Sequence, residues 1–327
     1  MHDLVPDGRE VTVNGVDLHV VEEGAGPAVL LVHGWPELAW SWRHQLPALA
    51  EAGYRAIAPD MRGYGRSSAP AAVDAYGIEA LCGDLVGLLD ALGVERAVVV
   101  GHDWGSMVAW NTALRHPERL AGVVGMSVPF IPRPKRPPVA NFDAQHPGVF
   151  FYISYFQTPG VAEADLGRDP RAAVTRIMLA LQSGTPDTGF LGPDDGRGLL
   201  DRLPPEPERL PDWITQPELD VYVEAFTRTG FAGGINWYRN MDRNWERSAH
   251  LAEAKVAVPA LFVAGADDPV IIAWSPDRME GWLHDPRGVV LVEGAGHWVQ
   301  QEKPAAVNEA LLGFLAGLDL SPSPGPS

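Results

Sequence analysis

The chain has 327 residues, of which 46% are hydrophobic and 20% are charged. These values are typical of a globular protein and exclude a disordered or fibrous one. The formal net charge of −17 argues against a nucleic-acid partner and against an anionic membrane surface, because both would repel such a chain.

The N-terminal segment predicts a β-hairpin followed by a series of buried strands. Apolar and polar residues alternate on both sides of Asn14-Gly15, which is the strongest short hairpin signal. Six later segments contain continuous apolar runs typical of strands that are covered on both faces. They lie at 28–32, 55–60, 96–101, 120–127, 259–265 and 288–294.

Helical patterns lie between several of these strands. Apolar residues recur at steps of three and four from Ile78 to Leu92, so they share one helical face, and Gly93 is a stop signal. Further helices are predicted at 107–116 and 305–315. This alternation predicts an α/β fold, with a mostly parallel central sheet flanked by helices.

The alternation of strands and helices stops near Pro129. Residues 136–248 are rich in proline and then in aromatic residues within helix-like segments, so we predict that they form an inserted, mainly helical cap. The core then consists of a first part at 1–135 and a second part at 249–317. Residues 318–327 have the Ser/Pro composition of a disordered tail.

The segment VVVGHDWGSMVAW carries Asp103 at a predicted turn between a strand and a helix. Hydrolases with this strand, turn and helix usually place a serine there, in the pattern G-x-S-x-G. Gly101, Gly105 and Ser106 are the small neighbours that such a strained turn requires. Asp103 is therefore the candidate nucleophile.

A candidate oxyanion hole precedes this turn in the chain. The segment HGWPE, at 33–37, follows a buried strand, where α/β-hydrolases place the loop that supplies half of the oxyanion hole. The backbone N–H groups of Trp35 and Trp104 are therefore the candidate donors to a developing oxyanion.

Candidate partners for the nucleophile follow two later strands. AGADDPV carries Asp268, with Asp267 as its rival, and EGAGHWVQQEKP carries His297. Nucleophile, acid and histidine stand in the chain order of the α/β-hydrolase triad. The acid would orient the imidazole ring of His297 and stabilise its cation.

Six motifs together give the sequence a specific resemblance. They are HGWPELAWSWRHQ, PDMRGYGRS, GHDWG, YFQTPGVAE, NWYRN and GHWVQQEKP. With these motifs the chain resembles the soluble epoxide hydrolases of the α/β-hydrolase superfamily, from about residue 10 to residue 316. The resemblance implies the α/β-hydrolase fold with a cap, Asp103 as nucleophile, His297 as base and Asp268 as acid.

The resemblance also implies a role for two tyrosines of the cap. Tyr152 begins the motif Y-x-x-Y-F-Q-x-P-G, and Tyr238 lies in NWYRN, whereas we expect the nearby Tyr155 to pack. Phenols with a pKa near ~10 stay protonated at neutral pH, so both tyrosines could donate to an epoxide oxygen.

The aspartate suits attack on saturated carbon. A carboxylate forms an ester there, which water can hydrolyse, whereas a serine would form an ether that could not turn over. The predicted reaction therefore converts an epoxide and water into a vicinal diol through a covalent enzyme ester. We expect an apolar or aromatic epoxide, and the predicted substrate contacts are Trp35, Trp104, Phe151 and Trp237.

Two other functions are weighed against this prediction. A haloalkane or haloacid dehalogenase would use the same Asp103, but a halide needs no proton donor, so the paired tyrosines favour an epoxide. A non-catalytic receptor for a small ligand would need neither a nucleophile nor a catalytic histidine, whereas this sequence has both Asp103 and His297. The nucleotide and zinc motifs are missing from the sequence, so no cofactor or metal is expected.

The cellular setting is predicted from a few features of the sequence. Cys82 is the only cysteine, which excludes an internal disulfide and favours a reducing compartment. The start MHDLVPDGRE does not resemble a signal peptide, and no run of 18 apolar residues occurs. We expect a cytoplasmic protein of bacterial origin, and the sequence is compatible with a homodimer.

Overall fold

The computed structural model describes residues 7–320, which contain two β-sheets. Eight strands form the central sheet in the order β1-β2-β4-β3-β5-β6-β9-β10, and β7 pairs with β8. The strands are β1 (Arg9–Val13), β2 (Val16–Glu23), β3 (Ala28–Val32), β4 (Arg55–Pro59), β5 (Ala97–His102), β6 (Leu120–Met126), β7 (Val149–Phe151), β8 (Leu191–Pro193), β9 (Val256–Gly265) and β10 (Leu283–Val292).

The strand directions confirm the predicted hairpin and the mostly parallel sheet. β1 is antiparallel to β2 and β2 to β4, whereas every later pair in the sheet is parallel. Asn14 and Gly15 have φ values of 49° and 78°. Positive φ at both turn residues is the geometry of a two-residue hairpin that matches the twist of its strands.

Fourteen α-helices lie among the described residues. They are α1 (Gln45–Glu51), α2 (Ile78–Ala91), α3 (Trp104–Arg115), α4 (Pro138–Gln145), α5 (Tyr152–Tyr155), α6 (Val161–Gly167), α7 (Pro170–Ala180), α8 (Leu199–Arg202), α9 (Gln216–Thr229), α10 (Ala232–Arg239), α11 (Met241–Arg247), α12 (Pro269–Ala273), α13 (Val299–Glu302) and α14 (Pro304–Ala316). Short 3-10 turns lie at Ala39–Trp42, Val73–Tyr76, Pro117–Arg119, Ala249–Leu251 and Pro276–Met279. No helix between residues 7 and 320 has the length and apolarity needed to cross a membrane.

Helices cover both faces of the central sheet. In β3, Leu30 and Val32 belong to one apolar cluster, while Val29 and Leu31 belong to another. Because side chains alternate across a strand, the two clusters lie on opposite faces. α2 and α3 contribute to the first cluster, and α1 and α14 to the second. This is the reason for the continuous apolar runs in the sequence.

The predicted cap corresponds to the chain between β6 and β9. This segment carries α4 to α11 and the small β7-β8 sheet. The expectation of helix-like structure was wrong at Val149–Phe151, because these β-branched and aromatic residues form a strand against Leu191–Pro193. The exact limits of the cap, 136 and 248, stay a prediction.

The predicted tail begins within the described part of the chain. Leu318 and Leu320 are half-buried and pack against the apolar cluster that α14 covers. These two leucines are therefore packed, and the disorder predicted for residues 318–320 was wrong. Residues 321–327 of the predicted tail lie outside the described residues.

The turn between β5 and α3 has an unusual backbone at Asp103, with φ 53° and ψ −119°. A non-glycine residue with positive φ is strained, by about 1–3 kcal/mol. The flanking glycines are sterically required, since a Cβ on Gly101 would collide with the backbone of Gly105, and a Cβ on Gly105 with the carbonyl of Val32. Close packing of β3, β5 and α3 therefore holds the turn in place.

A buried carboxylate, that of Glu37, lies behind this turn. Its Oε2 accepts hydrogen bonds from His102 Nδ1 at 2.6 Å and from the Gly34 N–H at 3.0 Å. Its Oε1 accepts from the side-chain amides of Gln300 and Gln301, at 2.9 and 3.2 Å. All four polar side chains are fully buried, so Glu37 connects three separate segments of the core.

His102 extends this network toward the C-terminal part of the core. Its Nε2 lies 2.7 Å from the backbone carbonyl of His297, while its Nδ1 faces Glu37. Both ring nitrogens thus face oxygen atoms, so the imidazole ring is held from both sides. Burial disfavours the charge on Glu37, but the attraction and hydrogen bond of His102 outweigh it and lower the Glu37 pKa to about 2.

A substitution at Gly105 tests the crowded turn. We expect Gly105→Ala to destabilise the protein by about 1–3 kcal/mol or more, because the new methyl group meets backbone that cannot move freely. Gly313→Ala is the matched control, since Gly313 also lies in a helix and its Cβ would meet nothing within 4 Å. Urea unfolding measures both, and equal stability of the two variants would contradict the proposed crowding.

A pH series tests the buried network. The Glu37 pKa of about 2, against its usual 4.5, corresponds to about 3 kcal/mol of stability. Because the folded-state pKa is lowered, this stability is present above about pH 4.5 and is lost as the pH falls toward about 2. We expect Glu37→Gln to be destabilised at neutral pH and the difference from the parent to shrink on acidification. Glu206→Gln, at an exposed position, should show no such difference.

Candidate active site

Asp103 presents its carboxylate at the N-terminus of α3. Its Oδ1 accepts a hydrogen bond of 2.8 Å from the Trp35 N–H, and its side chain keeps 13% of its surface exposed. A Cβ on Gly34 would collide with this carboxylate, so the loop before Trp35 approaches closely only because it carries glycine. The carboxylate is thereby held by one backbone donor and stays accessible to a small molecule.

His297 lies between Asp103 and Asp268. Its Nε2 is 3.6 Å from Asp103 Oδ2, and its Nδ1 is 3.2 and 3.1 Å from the two carboxylate oxygens of Asp268. Both His297 and Asp268 are buried. The structure thus brings together the three side chains that the sequence selected as nucleophile, acid and base.

The geometry also separates the two candidate acids. Asp268 follows β9 and is fixed by the Val270 N–H, which donates to its Oδ1 at 2.8 Å. Asp267 is exposed and instead accepts a hydrogen bond from Ser183 Oγ. Only Asp268 faces His297, because the chain turns between the two residues.

The orientation of His297 is fixed through its backbone. Its N–H donates to the Leu181 carbonyl at 2.9 Å, and its own carbonyl accepts from His102 and from Ser127 Oγ, at 2.7 and 2.8 Å. The buried Trp298 packs edge-on against its ring at 4.8 Å. The ring is therefore held from the cap side and from the core side.

The electrostatics of His297 depend on both carboxylates. Burial by itself lowers the pKa of His297, but Asp268 and Asp103 outweigh burial and raise it well above its usual range. In the resting site His297 is therefore the cationic partner of two anions. Loss of either negative charge would lower its pKa.

The two predicted oxyanion donors differ in whether the structure shows a contact of their N–H group with Asp103. The Trp35 N–H already contacts the carboxylate of Asp103. Trp104 is the first residue of α3, and the first N–H groups of a helix have no partner within the helix. Its role as the second donor stays a prediction.

The two cap tyrosines lie beside each other near Asp103. Tyr152 begins α5 and Tyr238 lies in α10, and their ring centroids are 5.6 Å apart. The ring of Tyr238 packs edge-on against Trp35 and Trp104, at 5.8 and 5.0 Å. Burial raises the pKa of both tyrosines, and the charge of Asp103 raises it further, so both are protonated phenols at neutral pH.

Three other aromatic residues have different surroundings. Tyr155 packs against Phe150 at 5.3 Å, as expected of a packing residue. Trp237, predicted as a substrate contact, has no accessible surface, and its indole N–H donates to the Arg62 carbonyl at 3.3 Å. In this structure the Trp237 side chain is packed, and its role as a substrate contact stays a prediction. Phe151 is half-buried and lines a large cavity.

Glu37 and His102 are the structural residues that the sequence analysis overlooked. Both stand inside motifs that were singled out, HGWPE and GHDWG, but without an assigned role. Their titratable side chains, each inside a glycine-containing motif, were the available signal for such a buried network. Among residues 7–320, no group of three or more His, Cys, Asp and Glu side chains is arranged to hold a metal ion.

Known proteins resemble this chain along nearly its whole length. A family model described as alpha/beta hydrolase fold matches residues 27–157. Epoxide hydrolase A of Mycobacterium tuberculosis is 52% identical over 322 residues, which cover 96% of this chain and 99% of the relative. Bifunctional epoxide hydrolase 2 of Sus scrofa is 42% identical over 306 residues, which cover 92% of this chain but 53% of that longer protein.

Solved structures give the same result. Epoxide hydrolase A from Mycobacterium thermoresistibile matches with a TM-score of 0.92 and 54% identity, over 97% of this chain and 100% of the other. Potato (Solanum tuberosum) epoxide hydrolase I matches with a TM-score of 0.86 and 36% identity, over 94% and 98%. The resemblance therefore includes the segment between β6 and β9 as well as the core, and the chain belongs to the epoxide hydrolase family of the α/β-hydrolase superfamily.

Proposed function

We propose that this protein hydrolyses an epoxide to a vicinal diol through a covalent ester on Asp103. The observation that carries the proposal is the convergence of two kinds of group on one carboxylate. His297 Nε2 lies 3.6 Å from Asp103 Oδ2, and Tyr238 packs against Trp35, whose N–H donates to Asp103, and against Trp104, the residue after Asp103. A base for water and donors for an epoxide oxygen are the two requirements of the reaction.

In the first step, a carboxylate oxygen of Asp103 attacks a ring carbon of the epoxide. A new C–O bond forms, the ring C–O bond at that carbon breaks, and the electron pair goes to the epoxide oxygen. Tyr152 and Tyr238 donate hydrogen bonds to this oxygen, and one of them transfers its proton. The adjacency of their rings supports action on a single oxygen.

In the second step, water attacks the carboxyl carbon of the ester. His297 takes a proton from the water, and the tetrahedral oxyanion forms next to the Trp35 N–H, with Trp104 as the proposed second donor. The acyl C–O bond then breaks, and the departing diol oxygen takes the second proton of the attacking water, while His297 keeps the first. Asp103 regains its carboxylate, with one oxygen derived from water.

Ester formation prepares His297 for the second step. While Asp103 is ionised, its charge helps to keep the pKa of His297 high. The ester is neutral, so that contribution disappears and the pKa of His297 falls. The pKa values of the two tyrosines fall for the same reason. Alkylation of Asp103 thus lets His297 release its proton, which restores the deprotonated tyrosine and leaves the neutral imidazole that the hydrolytic step requires.

The proposed cap and core have separate tasks in this mechanism. Residues 136–248 supply Tyr152 and Tyr238, which act on the epoxide oxygen. The core supplies Asp103, Asp268 and His297, which form and hydrolyse the ester. This division predicts that ester formation and ester hydrolysis can be blocked independently.

Blocking hydrolysis should trap the ester. We expect His297→Gln to lower turnover by about 10²- to 10⁴-fold while Asp103 is still alkylated. Mass spectrometry of the digested protein should find the epoxide mass added to the peptide that contains Asp103. His250→Gln, at an exposed histidine, should turn over normally without an adduct. The proposal would be refuted if His297→Gln formed no adduct with any of a panel of epoxides and the parent protein formed no diol.

Blocking the proton donors should prevent ester formation. We expect the double variant Tyr152→Phe/Tyr238→Phe to form no adduct even in the His297→Gln background, because the epoxide oxygen then leaves as an unsupported alkoxide. Tyr155→Phe is the matched control and should keep both adduct formation and turnover. Normal diol formation by the double variant would refute the tyrosine assignment. Halide release from haloalkanes without diol formation would point to a dehalogenase instead.

A further inference from the structure

The carboxylate of Glu302 contacts the loop that carries His297. Glu302 belongs to the motif GHWVQQEKP and is the last residue of α13. Its Oε2 accepts a hydrogen bond of 2.9 Å from the Gly296 N–H, and its Oε1 accepts one of 3.1 Å from the Trp298 N–H. These two donors are the residues directly before and after His297. One carboxylate therefore holds the backbone on both sides of the candidate base.

The same carboxylate joins this loop to the segment between β6 and β9. Its Oε2 accepts a third hydrogen bond, of 3.1 Å, from the N–H of Ser183, which lies just after α7. A Cβ on Gly296 would collide with the backbone of residues 181–183, so there is no space for a side chain between the two segments. N–H groups from two distant parts of the chain thus converge on Glu302.

The C-terminal end of α7 explains why these two segments meet. The last carbonyl groups of a helix have no partner within the helix. Here the carbonyl of Met178 accepts a hydrogen bond of 2.6 Å from the indole N–H of Trp298. The carbonyl of Leu181, just after the helix, accepts one of 2.9 Å from the His297 N–H. The loop of His297 therefore supplies donors that the end of α7 lacks.

The hydrogen bonds of Glu302 suit an ionised side chain. Burial raises the pKa of its carboxyl group, although the three N–H groups and the positive charge of His297 act against burial. All three hydrogen bonds are donated to Glu302, and a carboxylate only accepts. A glutamine at this position would turn an NH₂ group toward one of the N–H groups, so that two donors would face each other.

We propose that Glu302 is a positioning residue for ester hydrolysis, because it fixes the loop of His297 relative to Asp103 and Asp268. This inference rests on the proposed function and adds a residue to it. Glu302 acts through the backbone, since its three contacts are all with main-chain N–H groups. Precise placement matters in this step, because a shift of about 1 Å can lower a rate by about 10²-fold.

Ester formation should not depend on this carboxylate. Asp103 is held by its own turn and by the Trp35 N–H at 2.8 Å. In the proposed mechanism, Tyr152 and Tyr238 act on the epoxide oxygen, and the task of His297 begins after the ester has formed. Loss of the three hydrogen bonds should therefore slow the second half-reaction alone.

Separate measurement of the two half-reactions tests the inference. A single turnover of styrene oxide, or of another epoxide that the parent hydrolyses, is quenched at successive times with the protein at saturating concentration. Mass spectrometry of the peptide that contains Asp103 then gives the rate constants of ester formation and ester hydrolysis. We expect Glu302→Gln to slow hydrolysis by about 10- to 100-fold and to leave formation nearly unchanged, so that the ester accumulates.

Two further variants complete the test. Glu309→Gln makes the same chemical change at an exposed position of α14 and should leave both rate constants unchanged. Glu302→Asp keeps two acceptor oxygens but is one methylene shorter. We expect it to slow hydrolysis less than Glu302→Gln does, again without an effect on formation. This variant carries the test if Glu302→Gln does not fold.

The outcomes separate this inference from the proposed function. Unchanged ester hydrolysis in Glu302→Gln, or equal slowing of formation and hydrolysis, would overturn the positioning role while epoxide hydrolysis by the parent stands. Equal slowing of both steps is the result expected if Glu302 only supports the fold of the whole site. Absence of ester in His297→Gln, together with absence of diol from the parent, would overturn the proposed function itself.

Discussion

The carboxylate of Glu37 is the interaction on which the site depends. It is fully buried, and it joins the loop of Gly34 to His102, the residue before Asp103. Through His102 the same network reaches the backbone of His297. The loop with the candidate oxyanion donor, the turn of the candidate nucleophile and the candidate base come from distant parts of the sequence. The buried Glu37 carboxylate sets their relative positions, and without its partners this charge would be strongly unfavourable.

A second charge, that of Asp103, determines the order of events in the proposed mechanism. In the resting site it raises the pKa of His297 and of both tyrosines. The proposed ester removes this charge, so the pKa values of His297 and of both tyrosines fall together. In the proposed mechanism the charge state of Asp103 thus sets the pKa values of the groups around it. A serine in the same turn would not carry this charge, since its hydroxyl is neutral.

Much of the fold was predictable because its signals are local. The Asn14-Gly15 hairpin and the buried strands follow from neighbouring residues, and so does the end of α2 near Gly93, where φ is 67°. The β7-β8 pair was missed because its partners are about 40 residues apart and no short pattern specifies such a pairing. Asp268 could not be separated from Asp267 by spacing, since burial decides between them. The burial of Trp237 could not be predicted either, because composition does not distinguish a packed ring from one that lines a pocket.

The apolar cluster that covers one face of the sheet continues into the chain between β6 and β9. Leu30 and Val32 of β3 belong to the same cluster as Phe156, Phe226 and Ile235 of that segment. Lifting this segment away as a rigid lid would expose the shared surface, at about 25 cal/mol for each Å² of apolar area. Rigid lifting of this segment is therefore an unfavourable route for substrate entry. For the same reason, a cap transplanted from a relative would have to bring its half of the core with it.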